Sequence, residues 1–176
     1  CDMACGSGSF QIEAFQFLLD WHRDFYVKDG PEKYGKILYR AGNDYRLTTD
    51  EKKRILLNNI FGVDIDAQAV EVTKLSLLLK VLESESQESI TKQFELFHRR
   101  ALPDLGSNIK CGNSLIGSEA YKCQQLSLLP EEDRYRINVF DWPQAFPEIM
   151  QAGGFDAIIG NPPYIRIQMM KEWAPV

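Results

Sequence analysis

The stretch CDMACGSGSF, residues 1–10, decides the fold of this chain. It predicts the end of a strand, then a tight turn at Gly6 and Gly8, then the start of a helix. Ser7 or Ser9 is expected to cap that helix, because serine oxygens accept hydrogen bonds from the first helical N–H groups. A natural domain does not begin in the last residues of a strand, so we expect the protein to extend upstream.

Three more apolar segments are predicted to be strands: residues 60–66, 105–111 and 155–160. Helices are predicted between them, and one is opened by the capping box of Thr48 and Glu51. Apolar strands that alternate with helices indicate an α/β fold, a doubly wound and mostly parallel sheet of about four strands buried on both faces. Ligands of such sheets bind at the carboxyl ends of the strands, where the unusual residues of this chain lie.

Residues 22–47 interrupt this alternation. They are aromatic and charged, and glycine, proline and asparagine recur as breakers at residues 30–31, 35 and 42–43. We interpret them as an inserted segment of loops with room for a short hairpin.

Composition is typical of one globular domain. The chain has 176 residues, 44% hydrophobic and 26% charged, and it has no run of about 18 apolar residues that would span a membrane. Its four cysteines form no C-x-x-C pair and have no histidine at ligand spacing. This pattern predicts reduced cytosolic thiols and no metal site.

The net charge of −5 has the wrong sign for a domain that holds DNA by itself. Either the substrate is not a nucleic acid, or the DNA-binding surface lies on a part of the protein outside these residues. The motifs described next favour the second interpretation.

Two strand ends carry residues suited to a nucleoside ligand. Gly6 and Gly8 let the backbone approach a ligand closely in front of a helix N-terminus. The dinucleotide-binding pattern G-x-G-x-x-G is not met, because position 11 is Gln11. A turn without a ligand is the alternative. Asp64 ends the second strand and can accept from both ribose hydroxyls, with Ile65 on the adenine face, whereas Asp66 is assigned to capping the next helix.

The sharpest signal is NPPY, residues 161–164. Two prolines directly after a buried strand give a stiff turn that projects an amide and an aromatic ring. The amino nitrogen of a nucleobase is a poor nucleophile, because its lone pair is delocalised into the ring. The Asn161 side-chain oxygen and the Pro162 carbonyl can accept from its two hydrogens, and Tyr164 can stack on the base.

These segments resemble, in order, the motifs of bacterial DNA adenine-N6 methyltransferases. Residues 2–10 resemble motif I, D-P-A-C-G-S-G-x-F, with Met3 where proline is common; residues 62–66 resemble motif II, 111–115 motif III and 155–164 motif IV. The order is that of the gamma group. The insertion before motif II and the Asp-Trp pair upstream of motif IV resemble type IIG restriction-modification enzymes, which join nuclease, methyltransferase and target-recognition parts in one chain.

The resemblance implies S-adenosylmethionine as cofactor and the Rossmann-like fold of methyltransferases that use it, truncated here to about four strands. Asp64 is implied to hold the ribose, and Asn113, in place of the commoner Asp, to accept from the adenine amino group, with Ser114 and Ile65 near the ring. Asp2 is implied to support the turn. The methionine end of the cofactor is implied to be lined by Ala4, Cys5, Gly6 and Gly8.

For catalysis, the resemblance implies double-stranded DNA with a flipped adenine as partner, whose N6 attacks the methyl group in line without a covalent intermediate. Asn161, Pro162 and Tyr164 are the implied catalytic and base-binding residues. A cytosine-C5 mechanism needs a cysteine after a proline, and no cysteine here follows one.

Three alternatives remain open. N-P-P-Y also occurs in methyltransferases of RNA bases and of protein glutamine, although the form of residues 4–8 favours DNA. A nuclease is suggested by the Glu51-Lys52-Lys53 element, but the Pro-Asp pair at 103–104 follows rather than precedes it, so charges on a capped helix are the preferred interpretation. Lastly, residues 1–176 are interpreted as a partial methyltransferase domain that binds the cofactor, or nothing, by itself. We expect the parent enzyme to be active and this fragment alone to be inactive.

Overall fold

A computed structural model describes residues 1–83, 103–121 and 137–161. These residues form an α/β structure with two small sheets and five α-helices. Within them, no helix combines the length and the apolar character that crossing a bilayer requires.

Helix α1, Ser9–Asp29, follows the turn formed by residues 3–8, which we call the opening turn. Gly8 precedes it in the left-handed conformation and no side chain caps its first turn, so the prediction of a Ser7 or Ser9 cap is wrong. Ser9 is already helical. The helix also continues through residues 22–29, which the sequence analysis assigned to loops, because Tyr26 extends its buried face beyond Leu19.

The rest of the insertion contains a 3-10 helix, Pro31–Tyr34, and a β-hairpin. Strands β1, Leu38–Ala41, and β2, Asp44–Leu47, pair antiparallel, and the buried residues Leu38 and Leu47 lie opposite each other. The hairpin for which the sequence left room is therefore present, and it is anchored in the core at its open end.

Helix α2, Thr49–Asn59, begins at the predicted cap, where the Thr48 hydroxyl accepts from the Glu51 N–H at 3.4 Å. The Glu51 carboxylate does not complete the capping box. It is 5% exposed and accepts instead from the Tyr26 hydroxyl at 2.8 Å and from the Arg54 guanidinium at 2.6 Å. Lys52 is also buried and donates to the Glu83 carbonyl at 3.0 Å, so these two charges tie helices together.

The main sheet is short and parallel. Strand β3, Gly62–Asp64, pairs with β4, Ile109–Cys111, and helix α3, Ala67–Leu82, follows β3. Asp2 forms parallel bridges with Gly62 on one side and with Ile159 on the other. All four predicted strand segments thus lie side by side, although only β3 and β4 are regular strands in the described residues.

Both faces of this sheet are covered by apolar side chains. Helices α1, α2 and α3 pack on the face to which Ile109 points, and the core there includes Phe15, Leu19, Ile55, Leu56, Leu77 and Val81. Val63 points to the opposite face, since successive strand residues alternate. That face is covered by helices α4, Trp142–Ala145, and α5, Pro147–Gln151, through an aromatic cluster of Phe61, Phe140, Trp142, Phe146 and Phe155.

The segment 155–160 differs from its prediction as a buried strand. Ile158 is 58% exposed and Ile159 40% exposed. The segment pairs through a single bridge to Asp2, and the described residues place no strand on its outer edge. Ile158 and Ile159 therefore lie at an open edge of the described sheet, whereas Phe155 packs in the aromatic cluster.

Candidate active site

The opening turn is held at the carboxyl end of β3. The Cys5 N–H donates to the Val63 carbonyl at 3.0 Å, and the Asp2 carboxylate accepts from the Ala4 N–H at 3.0 Å, which is the supporting role implied for Asp2. Gly6 and Gly8 have φ angles of 52° and 86°. At Gly8 a Cβ atom would lie 2.9 Å from the Thr73 side chain, so only glycine lets the turn sit this close to α3.

Asp64 joins this turn to the next one. One carboxylate oxygen accepts from the Gly6 N–H at 2.7 Å and the other from the Asp66 N–H at 2.9 Å. Each oxygen retains a lone pair for a further donor. Asp66 itself accepts from the Gln68 N–H at 2.8 Å, which confirms its predicted role as the cap of α3. Ile65 is 52% exposed beside these carboxylates and offers an apolar surface.

A third loop follows β4 and carries Asn113 and Ser114. The Asn113 side-chain oxygen accepts from the Leu115 N–H at 3.2 Å, and the Ser114 hydroxyl donates to the Met3 carbonyl at 2.7 Å. The loop after β4 is thereby tied to the opening turn. The loops after three parallel segments meet at one end of the sheet, as the sequence analysis expects.

Asn161 leaves the sheet beside the opening turn. The Ile159 N–H donates to the Cys1 carbonyl at 2.9 Å, and a Cβ atom on Gly160 would lie 2.8 Å from the Asp2 carboxylate. The absence of a side chain at residue 160 therefore lets the two segments approach. Asn161 is exposed at this edge, and the predicted residues Pro162 and Tyr164 lie outside the described residues.

Three carboxylates, of Asp2, Asp64 and Asp66, lie at this end of the sheet. Burial raises the pKa of Asp2, the nearby Ala4 N–H lowers it, and the neighbouring Asp64 raises it again. The second Asp2 oxygen is buried and has no hydrogen-bond partner in the part of the chain that the structure describes. Carboxylates at residues 2, 64 and 66 suit a cationic ligand. Among the described residues, no cluster of His, Cys, Asp and Glu is placed to hold a metal ion.

Cys5 differs from the other residues of the turn because its side chain points into the core. It is 5% exposed, and only its backbone faces the turn. Burial raises the pKa of the Cys5 thiol to about 11, and the Asp64 charge adds to that shift.

We therefore expect iodoacetamide at pH 8 to alkylate the exposed Cys111 and to spare Cys5, because about one Cys5 thiol in a thousand is ionised at that pH. Peptide mass spectrometry of the native protein measures both sites. Unfolding in urea is the control, since both cysteines should then react alike. Rapid alkylation of Cys5 in the native protein would contradict its placement in the core.

Sequence reasoning missed Thr73. Its side chain is fully buried on α3 and its hydroxyl donates to the Gly6 carbonyl at 2.8 Å. A threonine among the apolar residues of a helix is the signal that could have identified this partner of the turn.

Comparison with protein families identifies the family to which this chain belongs. The family described as Eco57I restriction-modification methylase matches residues 58–174, more than half of the chain. The chain belongs to this family. Membership of the Eco57I methylase family confirms the resemblance to type IIG adenine methyltransferases that the sequence motifs indicated. The α/β structure is consistent with that family.

Curated relatives agree with the Eco57I assignment. The type II restriction enzyme and methyltransferase RM.Eco57I of Escherichia coli is 37% identical over 174 residues, 99% of this chain and 15% of that protein. A putative type II restriction enzyme and methyltransferase of Methanocaldococcus jannaschii, RM.MjaORFECS2P, is 37% identical over 77% of this chain and 10% of its own length. The adenine-specific methyltransferase PglX of Streptomyces coelicolor is 26% identical over 95% of this chain and 12% of its own length.

This Eco57I-family chain thus spans 10–15% of the length of these relatives. No solved structure matches it with significance. Within the described residues, the structure brings together the predicted site residues Ala4, Gly6, Gly8, Asp64, Ile65, Asn113, Ser114 and Asn161.

Proposed function

We propose that this chain carries the cofactor-binding and base-binding loops of an enzyme that transfers a methyl group from S-adenosylmethionine to adenine N6 in DNA, within a restriction-modification system. The observation that carries the proposal is the meeting of the opening turn, Asp64 and Asn161 at one end of a parallel sheet, in a chain of the Eco57I methylase family. The relatives named as type II restriction-modification enzymes and as an adenine-specific methyltransferase support it.

The residues present fit S-adenosylmethionine. A Cβ atom on Gly6 would meet nothing within 4 Å, so the turn faces open space, and the carboxylates beside it favour a cation. Asp64 would accept from the ribose hydroxyls and Ile65 would pack on the adenine face. Asn113 would accept from the adenine amino group, with Ser114 near the ring. The bound cofactor supplies an electrophilic methyl group on a positively charged sulfur.

The roles proposed at the base follow from the chemistry of an aromatic amine. The Asn161 side-chain oxygen and the Pro162 carbonyl accept from the two N6 hydrogens, which favours a tetrahedral nitrogen with a localised lone pair. Tyr164 stacks on the adenine once it has left the duplex. Catalysis then rests on positioning and on hydrogen bonds arranged in advance.

The rest of the proposal concerns the whole protein. We propose a doubly wound Rossmann-like sheet of about four strands in residues 1–176, with further domain parts on both sides and a location in the bacterial cytoplasm. The order Ile159, Asp2, Gly62, Ile109 across the sheet supports this arrangement. Since the net charge is −5, most contacts with the DNA backbone are assigned to those further parts.

The test is methyl transfer from labelled S-adenosylmethionine to mixed bacterial DNA, with RNA and protein as parallel substrates. The enzyme is the full chain with whatever flanking sequence its gene encodes, and residues 1–176 alone form a second arm. Label in N6-methyladenine, made only by the longer protein, is expected. Label on RNA or on protein glutamine would contradict DNA as the substrate. Turnover by residues 1–176 alone would show that activity needs no further parts of the protein.

A further inference from the structure

A five-residue segment upstream of Asn161, residues 138–142, lies against the loop that follows β4. We call residues 138–142 the clamp segment and residues 112–116 the adenine loop. The proposed function uses the adenine loop but assigns nothing to the clamp segment. The proposed function therefore gives no role to the hydrogen bonds between the clamp segment and the adenine loop.

The first contacts are made by the backbone. The Asn113 N–H donates to the Asn138 carbonyl at 2.6 Å, and the Phe140 N–H donates to the Ile116 carbonyl at 2.9 Å. Asn138 adopts a positive φ of 46°, which asparagine tolerates better than most residues, and its amide donates to the Cys111 sulfur at 3.3 Å. The clamp segment thus pairs with the adenine loop from its start to its end.

Trp142 adds a side-chain contact. Its indole N–H donates to the Ser114 carbonyl at 3.0 Å, while its ring packs in the aromatic cluster, with centroids 4.9 Å from Phe140 and 5.9 Å from Phe146. An indole has one donor and a large apolar body, so Trp142 joins the packed core to the loop backbone.

The adenine loop needs such a support because it is poorly packed by itself. Leu115 is 86% exposed, and the Ser114 hydroxyl is tied to the opening turn through Met3 on the other side. The loop is therefore held between the opening turn on one side and the clamp segment, which includes Trp142, on the other. Asn113, whose side-chain oxygen is proposed to accept from the cofactor's amino group, lies beside both.

We propose that Trp142 is a positioning residue that sets the adenine loop and so determines the preference of the site for an adenine ring over a hypoxanthine ring. The inference rests on the proposed function, because it uses the assignment of Asn113. Hypoxanthine carries a carbonyl oxygen where adenine carries its amino group. A correctly placed acceptor therefore favours adenine, and a displaced one loses that distinction.

The test is the binding of S-adenosylhomocysteine and of S-inosylhomocysteine, measured by calorimetry with the full chain and its flanking sequence. The variant is Trp142→Phe, which keeps an aromatic ring in the cluster and removes the donor to Ser114. Wild type is expected to prefer the adenosyl compound. The variant should bind it about fivefold more weakly and the inosyl compound equally well, so that the preference falls by the same factor.

Trp21→Phe is the matched control, because Trp21 is exposed on α1 and its aromatic contacts are with His22 and Phe25. It should leave both affinities unchanged. An unchanged preference in Trp142→Phe, or an equal loss for both compounds, would show a merely structural role and overturn the inference. If the wild type bound both compounds equally well, the inference and the proposed role of Asn113 would both be wrong. The proposed function is tested separately, by measuring adenine methylation with the same preparation.

Discussion

Replacing Asn161 by Ala is expected to lower kcat for adenine methylation about 10²–10³-fold, the usual effect of removing one hydrogen-bond partner arranged for the transition state. The affinity for S-adenosylmethionine should hardly change, since the side chain is exposed at the sheet edge and, among the described residues, none of the hydrogen bonds that hold the opening turn involves it. Single-turnover methyl transfer to an adenine-containing duplex measures the first quantity, and calorimetry measures the second.

The controls separate chemistry from folding. Asn43→Ala removes an exposed asparagine from the hairpin turn and should leave both quantities unchanged. Asn161→Asp keeps an acceptor oxygen at the same place and should retain more activity than Asn161→Ala. Equal activity of Asn161→Ala and wild type would exclude Asn161 from the reaction. This conclusion would not depend on whether S-adenosylmethionine is the cofactor.

Replacing Glu51 by Ala is expected to lower the free energy of unfolding by about 2–3 kcal/mol, because the change leaves a buried tyrosine hydroxyl and a guanidinium without their acceptor. The Tyr26 hydroxyl lies 2.8 Å from the carboxylate, and Arg54 reaches both carboxylate oxygens. The Arg54 side chain is about half exposed, and for this reason the expected cost stays below that of a fully buried ion pair. Urea denaturation followed by circular dichroism measures the loss.

The matched control is Glu71→Ala. Glu71 forms the same i, i+3 arrangement with Lys74, but its side chain is 72% exposed, so the change should cost less than about 0.5 kcal/mol. A comparable loss in both variants would show that the buried contacts of Glu51 contribute nothing beyond a surface ion pair.

The same cluster predicts a dependence of stability on pH. Burial by itself raises the pKa of Glu51, but the hydrogen bonds from Arg54 and Tyr26 outweigh it, and the pKa is lowered from 4.5. A carboxylate with a lowered pKa in the folded state stabilises it fully above the unfolded value and loses that contribution as the pH falls through the folded value. The difference in stability between wild type and Glu51→Ala should therefore shrink below about pH 4.5.

Local signals predicted the parts of the site that depend on neighbouring residues. Asp66 as a helix cap and Thr48 as a cap each involve a hydrogen bond across two or three residues, and both are observed. The support of the turn by Asp2, which the family resemblance implied, is also observed. The extension of α1 through residues 22–29 was missed, because it depends on the packing of Tyr26 against a helix 25 residues away.

Burial was predicted less well than position. The apolar residues of 155–160 indicated a strand with two covered faces, but apolar composition cannot say which neighbours cover it. In the part of the chain that the structure describes, this segment pairs with residues 1–2, and Ile158 is largely exposed. The buried threonine on α3 was a local signal, but its partner Gly6 is 67 positions away, so the sequence could not indicate that the two are hydrogen-bonded.

The Asp64 carboxylate has a consequence for how this site can evolve. Both of its oxygens already hold backbone N–H groups, one in each of two loops, before any ribose is bound. A mutation there would disturb both loops and also remove the contact that we propose for the ribose, so one substitution affects two roles. Residue 64 should therefore resist drift more strongly than its exposed neighbour Ile65, and a shift towards cofactors with altered sugars would have to begin elsewhere in the pocket.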